Sequence, residues 1–293
     1  MSIINQQNTP SSESIVSIPI SKLKDFADHP FTVKDDEAMQ QTVESIREYG
    51  VLVPAIARPL EDGTYELISG HRRKHACELA GLETMPVIVR DLDRNAAIIV
   101  MVDSNLQREN ILPSERAKAY KMKLEAIKRQ GARHDLTSTQ IAQKLSVEKV
   151  AEEAGTSKDQ VRRYIRLNEL EPELLQMVDE GKIGMTPAVE ISYLKPEEQK
   201  LLIETIDSEQ ATPSFSQAQR MKRLSQEGKL NDDAMLDIMM EQKKPETWDL
   251  KLPMDKIRKY FPRSYTPQRM EETIIKLLDM WMKQQKKKRD QQR

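Results

Sequence analysis

The chain has 293 residues with 46 basic against 47 acidic, a formal net charge of −1, and 32% charged, 38% hydrophobic and 4% aromatic residues. That length holds two or three domains, and the profile suits a soluble, helix-rich, multidomain protein with modest cores. Its one cysteine, Cys77, excludes an internal disulfide and a cysteine-built zinc site, and the balanced charge confines any nucleic-acid footprint to a local patch. With no signal peptide and no apolar run near the ~20 residues of a membrane span, the expectation is a cytoplasmic protein with no membrane partner.

In chain order, residues 1–14 are polar and predict a disordered tail. Residues 15–20 (IVSIPI) predict a strand. Over 35–49, Met39, Val43 and Ile46 recur at helical spacing, and Gly50 ends the helix. VLVPAIARP (51–59) predicts a second strand and Glu61-Asp62-Gly63 a turn. Residues 64–69, with Tyr65, Leu67 and the β-branched Ile68, predict a third strand. Residues 72–79 contain no glycine or proline and run into Ala80-Gly81, a helix with its stop, and 85–90 supply a fourth strand. Together, 15–95 predict a small α/β domain.

Between the third strand and its helix stands Gly70-His71-Arg72-Arg73. A glycine turn there delivers two guanidinium groups onto a helix N-terminus, where backbone N–H groups attract anions and arginine forks match phosphate oxygens. On the tetrapeptide alone, a tight turn with solvated arginines is the simpler reading.

Residues 96–135 predict two linking helices. The first leads into SNLQRENILPSE (104–115). The second starts at Pro113 and has an apolar stripe of Ala117, Tyr120, Met122, Leu124 and Ile127 before Gly131 breaks the pattern. Residues 136–207 predict an all-helical DNA-binding domain around VEKVAEEAGTSKDQVRRYIRLN (147–168). Here Ala151 permits close helix approach, Gly155 turns the chain, and Val161 and Tyr164 return to the core, the spacing of a helix-turn-helix. Ser157 and Gln160 predict a capping box on the second helix. Its face offers Ser157, Lys158 and Gln160 to base edges and Arg162, Arg163 and Arg166 to phosphates, with an ordinary solvated hairpin as the alternative. The preceding IAQKL (141–145) is either an insertion or a support.

Residues 208–244 predict a helical linker, with KKPE at its end. Residues 245–285 predict a C-terminal oligomerisation or interaction module. It comprises a strand at 248–252, a short helix at 255–261, and an amphipathic helix at 266–282 with Met270, Ile274, Leu277, Leu278 and Trp281 on one face. That stripe is an internal core or a dimer seam. The tail at 286–293 is basic.

GHRRKHACELAGLETMPVIVR followed by NLQRENILPSERAKAY resembles the ParB/RepB family of DNA-partition proteins, whose usual forms are close to GERRxRA and ENLQRExLxPxEEAxAY. With the helix-turn-helix, the resemblance covers about residues 15–205. It implies a multidomain, mainly α chain: a small α/β domain of the ParB/sulfiredoxin type, an all-helical helix-turn-helix domain, and a small, mostly helical C-terminal segment. It further implies a homodimer that loads at a palindromic site on double-stranded DNA, is associated with the nucleoid, and closes as a clamp gated by CTP. A ParA-type ATPase partner is left open. By position, Gly70, His71, Arg72 and Arg73 form the triphosphate turn, Asn105 helps ligate Mg²⁺, and Arg108 belongs to the same support network.

Three departures stand out: His71 replaces the family's Glu, His75 its Arg, and Ser104 the acid before Asn105. Magnesium prefers charged oxygen ligands, so the last weakens the case for metal-dependent CTP hydrolysis. Two rivals are a helix-turn-helix transcriptional regulator with a degenerate nucleotide site, and a sulfiredoxin-fold enzyme. The latter needs a cysteine directly after the turn glycine, and here Cys77 lies farther along, as a core residue.

Overall fold

A computed structural model of the chain describes residues 14–108, 110–132, 139–241, 257–262 and 264–290. It forms two units, 1–241 and 242–293. The polar tail at 1–13 and the strand expected at 248–252 lie outside the described residues.

The first unit begins with a five-stranded sheet: β1 (Ile15–Pro19), β2 (Leu23–Asp25), β3 (Ala55–Pro59), β4 (Tyr65–Ser69) and β5 (Thr84–Val89), in the order β1-β5-β3-β4-β2. β1 runs antiparallel to β5 and β3 antiparallel to β4, while β5 pairs with β3, and β2 with β4, in parallel. The sequence predicted four of these strands. β2 has only three residues, too few for an alternating pattern to register.

Helix α1 (Glu37–Tyr49) starts where the Asp36 carboxylate accepts the Met39 N–H at 2.8 Å, and α2 (His71–Ala80) follows β4 directly. Successive strand residues face opposite ways, and β4 uses this on both sides. Leu67 joins Met39, Val43, Ile46 and Cys77 in one core, while Ile68 joins Ala97, Met101 and Ala119 in another. The second core brings in α3 (Arg94–Leu106) and α4 (Pro113–Ala132). Cys77 is fully buried and burial raises its thiol pKa, as befits a core residue rather than a nucleophile.

α4 also packs against α5 (Thr139–Glu153) and α6 (Lys158–Arg166), with Tyr120, Leu124 and Ile127 meeting Val147, Val150, Ala151 and Val161. Residues 141–145, expected as an insertion or a support, are simply part of α5. Beyond them α7 (Pro172–Asp179), α8 (Met185–Ile191), α9 (Pro196–Glu209), α10 (Phe215–Gln226) and α11 (Asp232–Met240) share one core. This corrects the expected linker at 208–244: Ala218, Met221, Met235, Ile238 and Met239 are buried beside Leu174 and Leu202. Their apolar face is satisfied internally, so α10 and α11 belong to the helical domain.

In the second unit, α12 (Pro267–Asp290) is the long helix. Its Met270 is buried and touched by Arg258, whereas Leu277, Leu278 and Trp281 are exposed.

Candidate nucleotide cleft and DNA-reading helix

The turn into α2 is built so that only glycine fits. Gly70 has φ 108°, and a Cβ there would lie 2.9 Å from the Ala55 Cβ and 3.3 Å from its Cα. The first helical bond runs from the Lys74 N–H to the Gly70 carbonyl at 2.9 Å. The N–H groups of His71, Arg72 and Arg73 therefore have no acceptor within the helix, and no side chain caps them. These donors, at the positive end of the helix dipole, make an anion site.

Arg72 reaches into a cleft of about 890 Å³ that it shares with Thr32, Lys34, Asp36, Arg108 and Glu115. Gln107 and Arg108 of the SNLQRE segment and Arg72 of the glycine turn thus line one cleft. Arg72 holds only a long contact to Asp36, 3.4 Å, and remains available. Burial lowers the pKa of Arg108, and the Arg72 charge lowers it further. Burial does the same to Arg73, with Arg108 adding to it. Guanidinium groups that repel one another so close together gain from a shared anion.

The other predicted members behave differently. Arg73 donates to the carbonyls of Val53 (a very short contact) and Pro54 (2.7 Å), which pins the strand entry rather than serving the cleft. The His71 side chain turns away: its ring lies 3.9 Å from that of His29 and is buried, with its pKa pushed down to about 3 mainly by burial and then by His29. Its contribution to the turn is its backbone N–H. Asn105 is also buried, and its amide donates to the Met101 carbonyl at 2.8 Å.

The donor set assigned to magnesium therefore does not fit. The Asn105 amide bonds back onto its own helix, Ser104 brings a hydroxyl in place of a charge, and Asp103 is paired with Lys123. Of the acids lining the cleft, Asp36 caps α1 and Glu115 accepts the Thr32 N–H at 2.8 Å. The loop before α1, which supplies Thr32 and Lys34, escaped the sequence reading because its residues carry no motif.

In the helix-turn-helix, Gly155 takes φ 62° between α5 and α6. Ser157 accepts the Gln160 N–H at 3.1 Å, so the serine half of the expected capping box forms. Val161 is fully buried, and Tyr164 stands edge-on to Tyr120 at 5.8 Å. Lys158 pairs with Glu148, and Arg162 with Asp159 at 3.3 Å. Such surface pairs are weak and exchange readily for phosphate. Arg163 donates to the Thr186 hydroxyl at 2.8 Å. Arg166 does not face outward as expected. Its guanidinium donates to the Ser192 carbonyl at 2.6 Å and hydroxyl at 3.1 Å and lies 4.1 Å from the Tyr193 ring, a strut between α6 and the end of α8.

Among the described residues, no helix is long and apolar enough to cross a membrane. The ParB N-terminal domain family matches residues 4–106 and the ParB HTH domain family residues 109–214. The chromosome-partitioning protein Spo0J of Thermus thermophilus is 34% identical over 185 residues, 63% of this chain and 62% of that protein, so the chain spans less than two thirds of that relative's length. The nucleoid occlusion protein of Bacillus pumilus is 31% identical over 216 residues, 73% of this chain and 69% of that protein. The C-terminally truncated chromosome-partitioning protein ParB of Caulobacter crescentus, solved with CTP-gamma-S, is 28% identical with a TM-score of 0.31, covering 64% of this chain and 96% of that one. With a glycine turn and an arginine cleft in the first domain, a helix-turn-helix in the second, and both family matches end to end along the chain, the protein belongs to the ParB family.

Proposed function

We propose that this chain is a site-specific DNA-binding partition protein, a dimeric clamp on double-stranded DNA gated by CTP. The observation that carries the nucleotide half is that Arg72 and Arg108, from two motifs far apart in sequence, line one cleft beside an uncapped helix N-terminus. The N–H groups of α2 and the two guanidinium forks bind the triphosphate. Gly70 lets the backbone approach, and Arg73 holds the turn in place. Because Asn105 is turned inward and Ser104 carries no charge, binding depends little on Mg²⁺.

On the DNA half, Ser157, Lys158 and Gln160 face base edges and Arg162 and Arg163 face phosphates, while Arg166 fixes the angle of α6. A palindromic site needs two copies of α6 related by a two-fold axis. The exposed apolar face of α12 supplies a seam for such a dimer. The protein then works in the cytoplasm on the nucleoid.

Calorimetry with CTP, ATP and GTP, each with Mg²⁺ and with EDTA and each with and without DNA, tests this reading. CTP binding that persists in EDTA is the expected result. Intact DNA binding with no response to any nucleotide would make the protein a transcriptional regulator instead.

A further inference from the structure

Lys123, in the middle of α4, is the one lysine among the described residues whose side chain is wholly shut off from water. Its neighbours on that helix, Tyr120, Leu124 and Ile127, are apolar core residues, and a leucine or methionine would fill the same space. A buried ammonium is tolerated only when paired. Here it has two partners: Asp103 on α3, in a very short contact, and Glu153 on α5, whose Oε2 lies 2.6 Å away. Both carboxylates keep an open side, 44% and 37% exposed, and Lys149 stands 4.0 Å from Glu153 at the rim. The ammonium therefore joins three helices from the inside.

What those helices carry gives the joint its meaning. Asp103 precedes Ser104 and Asn105 on the segment that leads to Arg108 in the cleft. Glu153 is the last residue of α5, and the turn through Gly155 to the Ser157 cap of α6 follows it. Resting on the reading of the cleft as a nucleotide site, we propose that Asp103, Lys123 and Glu153 form the link through which occupancy of the cleft is felt at the DNA-reading helix. An apolar contact lets packed helices slide at little cost. An ion joint shut away from water does not, because an ammonium that loses one carboxylate must keep the other. A displacement of α3 as an anion engages Arg108 is thus passed to the end of α5, and DNA seated on α6 acts back on the cleft by the same route. This reciprocity is required of any coupling between two binding sites.

The test uses the full chain, CTP, and a DNA duplex carrying the site that the wild type selects from a random pool. The quantity read is the ratio of CTP dissociation constants with and without that duplex. In the wild type it is expected to differ from one by a factor in the usual range for coupled sites, about 5 to 150. Asp103→Ala, Glu153→Ala and Lys123→Met should each bring it towards one, with CTP affinity in the absence of DNA held within about twofold. Lys123→Met leaves two carboxylates that are partly exposed to water, and each alanine variant leaves the ammonium one carboxylate, so the methionine variant carries the test even where an alanine variant fails to fold. Lys123→Met combined with either alanine change should do no more than Lys123→Met alone, since cutting the link at one point is enough. Variants that keep the wild-type ratio, or a wild-type ratio of one, would overturn the link while leaving CTP binding standing. A wild type that binds no CTP with or without DNA would instead remove the nucleotide reading, and the link with it.

Discussion

The two basic surfaces of this chain each follow a glycine turn, and the turns differ in what surrounds them. At Gly155 a Cβ would meet nothing within 4 Å, so that turn needs the glycine only for its positive φ. At Gly70 the same positive φ is combined with an Ala55 Cβ at 2.9 Å, so the backbone is pressed against a neighbouring strand. The helix-turn-helix is a local device whose cap, turn and basic face come from one continuous segment. The cleft is a composite, drawing Thr32 and Lys34 from one loop, Arg72 from the turn and Arg108 from the end of α3. The first tolerates change at its joints, whereas the second depends on distant pieces arriving together.

The largest expected effect follows from that contrast. Gly70→Ala has both a left-handed backbone, worth about 1–2 kcal/mol, and an overpacked neighbour, worth about 1–3 kcal/mol, so a destabilisation of about 3 kcal/mol is expected. Gly155→Ala should cost about 1 kcal/mol, from the backbone alone. Urea unfolding of both variants measures this, and equal destabilisation would mean the strand beside Gly70 relaxes freely.

Next in size is Arg72→Ala. A charge-assisted hydrogen bond contributes about 1.5–3 kcal/mol, so CTP affinity should fall about ten- to a hundredfold with melting temperature unchanged. Arg72→Lys should recover only part, because an ammonium lacks the fork. If Arg73→Ala instead lowers affinity more than stability, the division between a binding Arg72 and a bracing Arg73 is wrong.

The cleft side also carries a pH signature. His71 has its pKa pushed from 6.5 down to about 3, mainly by burial, and His29 is lowered in the same direction. Between those values the unfolded chain holds a proton that the native one rejects. Stability is therefore full above about pH 6.5 and falls as pH drops towards 3, by at most about 1.4 kcal/mol per pH unit for one group. Comparing denaturation midpoints at pH 7.5 and 5 in wild type and His71→Gln should show a shallower dependence in the variant.

The smallest effect sharpens the DNA side. Arg162 and Arg163 changed together to Ala should lower affinity for all sequences alike. They should also flatten the log–log salt dependence by roughly one unit for each phosphate that is no longer neutralised. Arg166→Ala, by contrast, should disturb the angle between α6 and α8 and reduce stability, with the salt slope kept. A flattened slope in Arg166→Ala would return that residue to the phosphate surface.

These differences also explain what could be read from the residues alone. The helix-turn-helix was legible because glycine, cap and apolar spacing sit within one short window, and four strands were legible from their composition. β2 was too short to show a period, and α10 and α11 passed for a linker because their buried residues, several of them methionine, are interleaved with charge. His71 and Asn105 carry polar side chains at motif positions. Which way such a side chain turns depends on His29 and on the backbone of α3, and neither is written in the motif. Lys123 reads as one more charged residue on an amphipathic helix, and only the convergence of three helices shows it to be inside.

α4 has three packed faces. Ala117 belongs to the core of α7–α11, Ala119 and Ala126 to the core behind the sheet, and Tyr120, Leu124 and Ile127 to that of the helix-turn-helix. A helix shared in this way cannot open without exposing all three cores at once. Its backbone amides should therefore be among the slowest in the chain to exchange with deuterium, leaving only through global unfolding. The ends of α1 and α10, each tied to a single core, should exchange by local fraying. Measured amide by amide, the first unit would then show no weak seam at the family-domain boundary near residue 109, and heating should melt the nucleotide and DNA halves in one cooperative step.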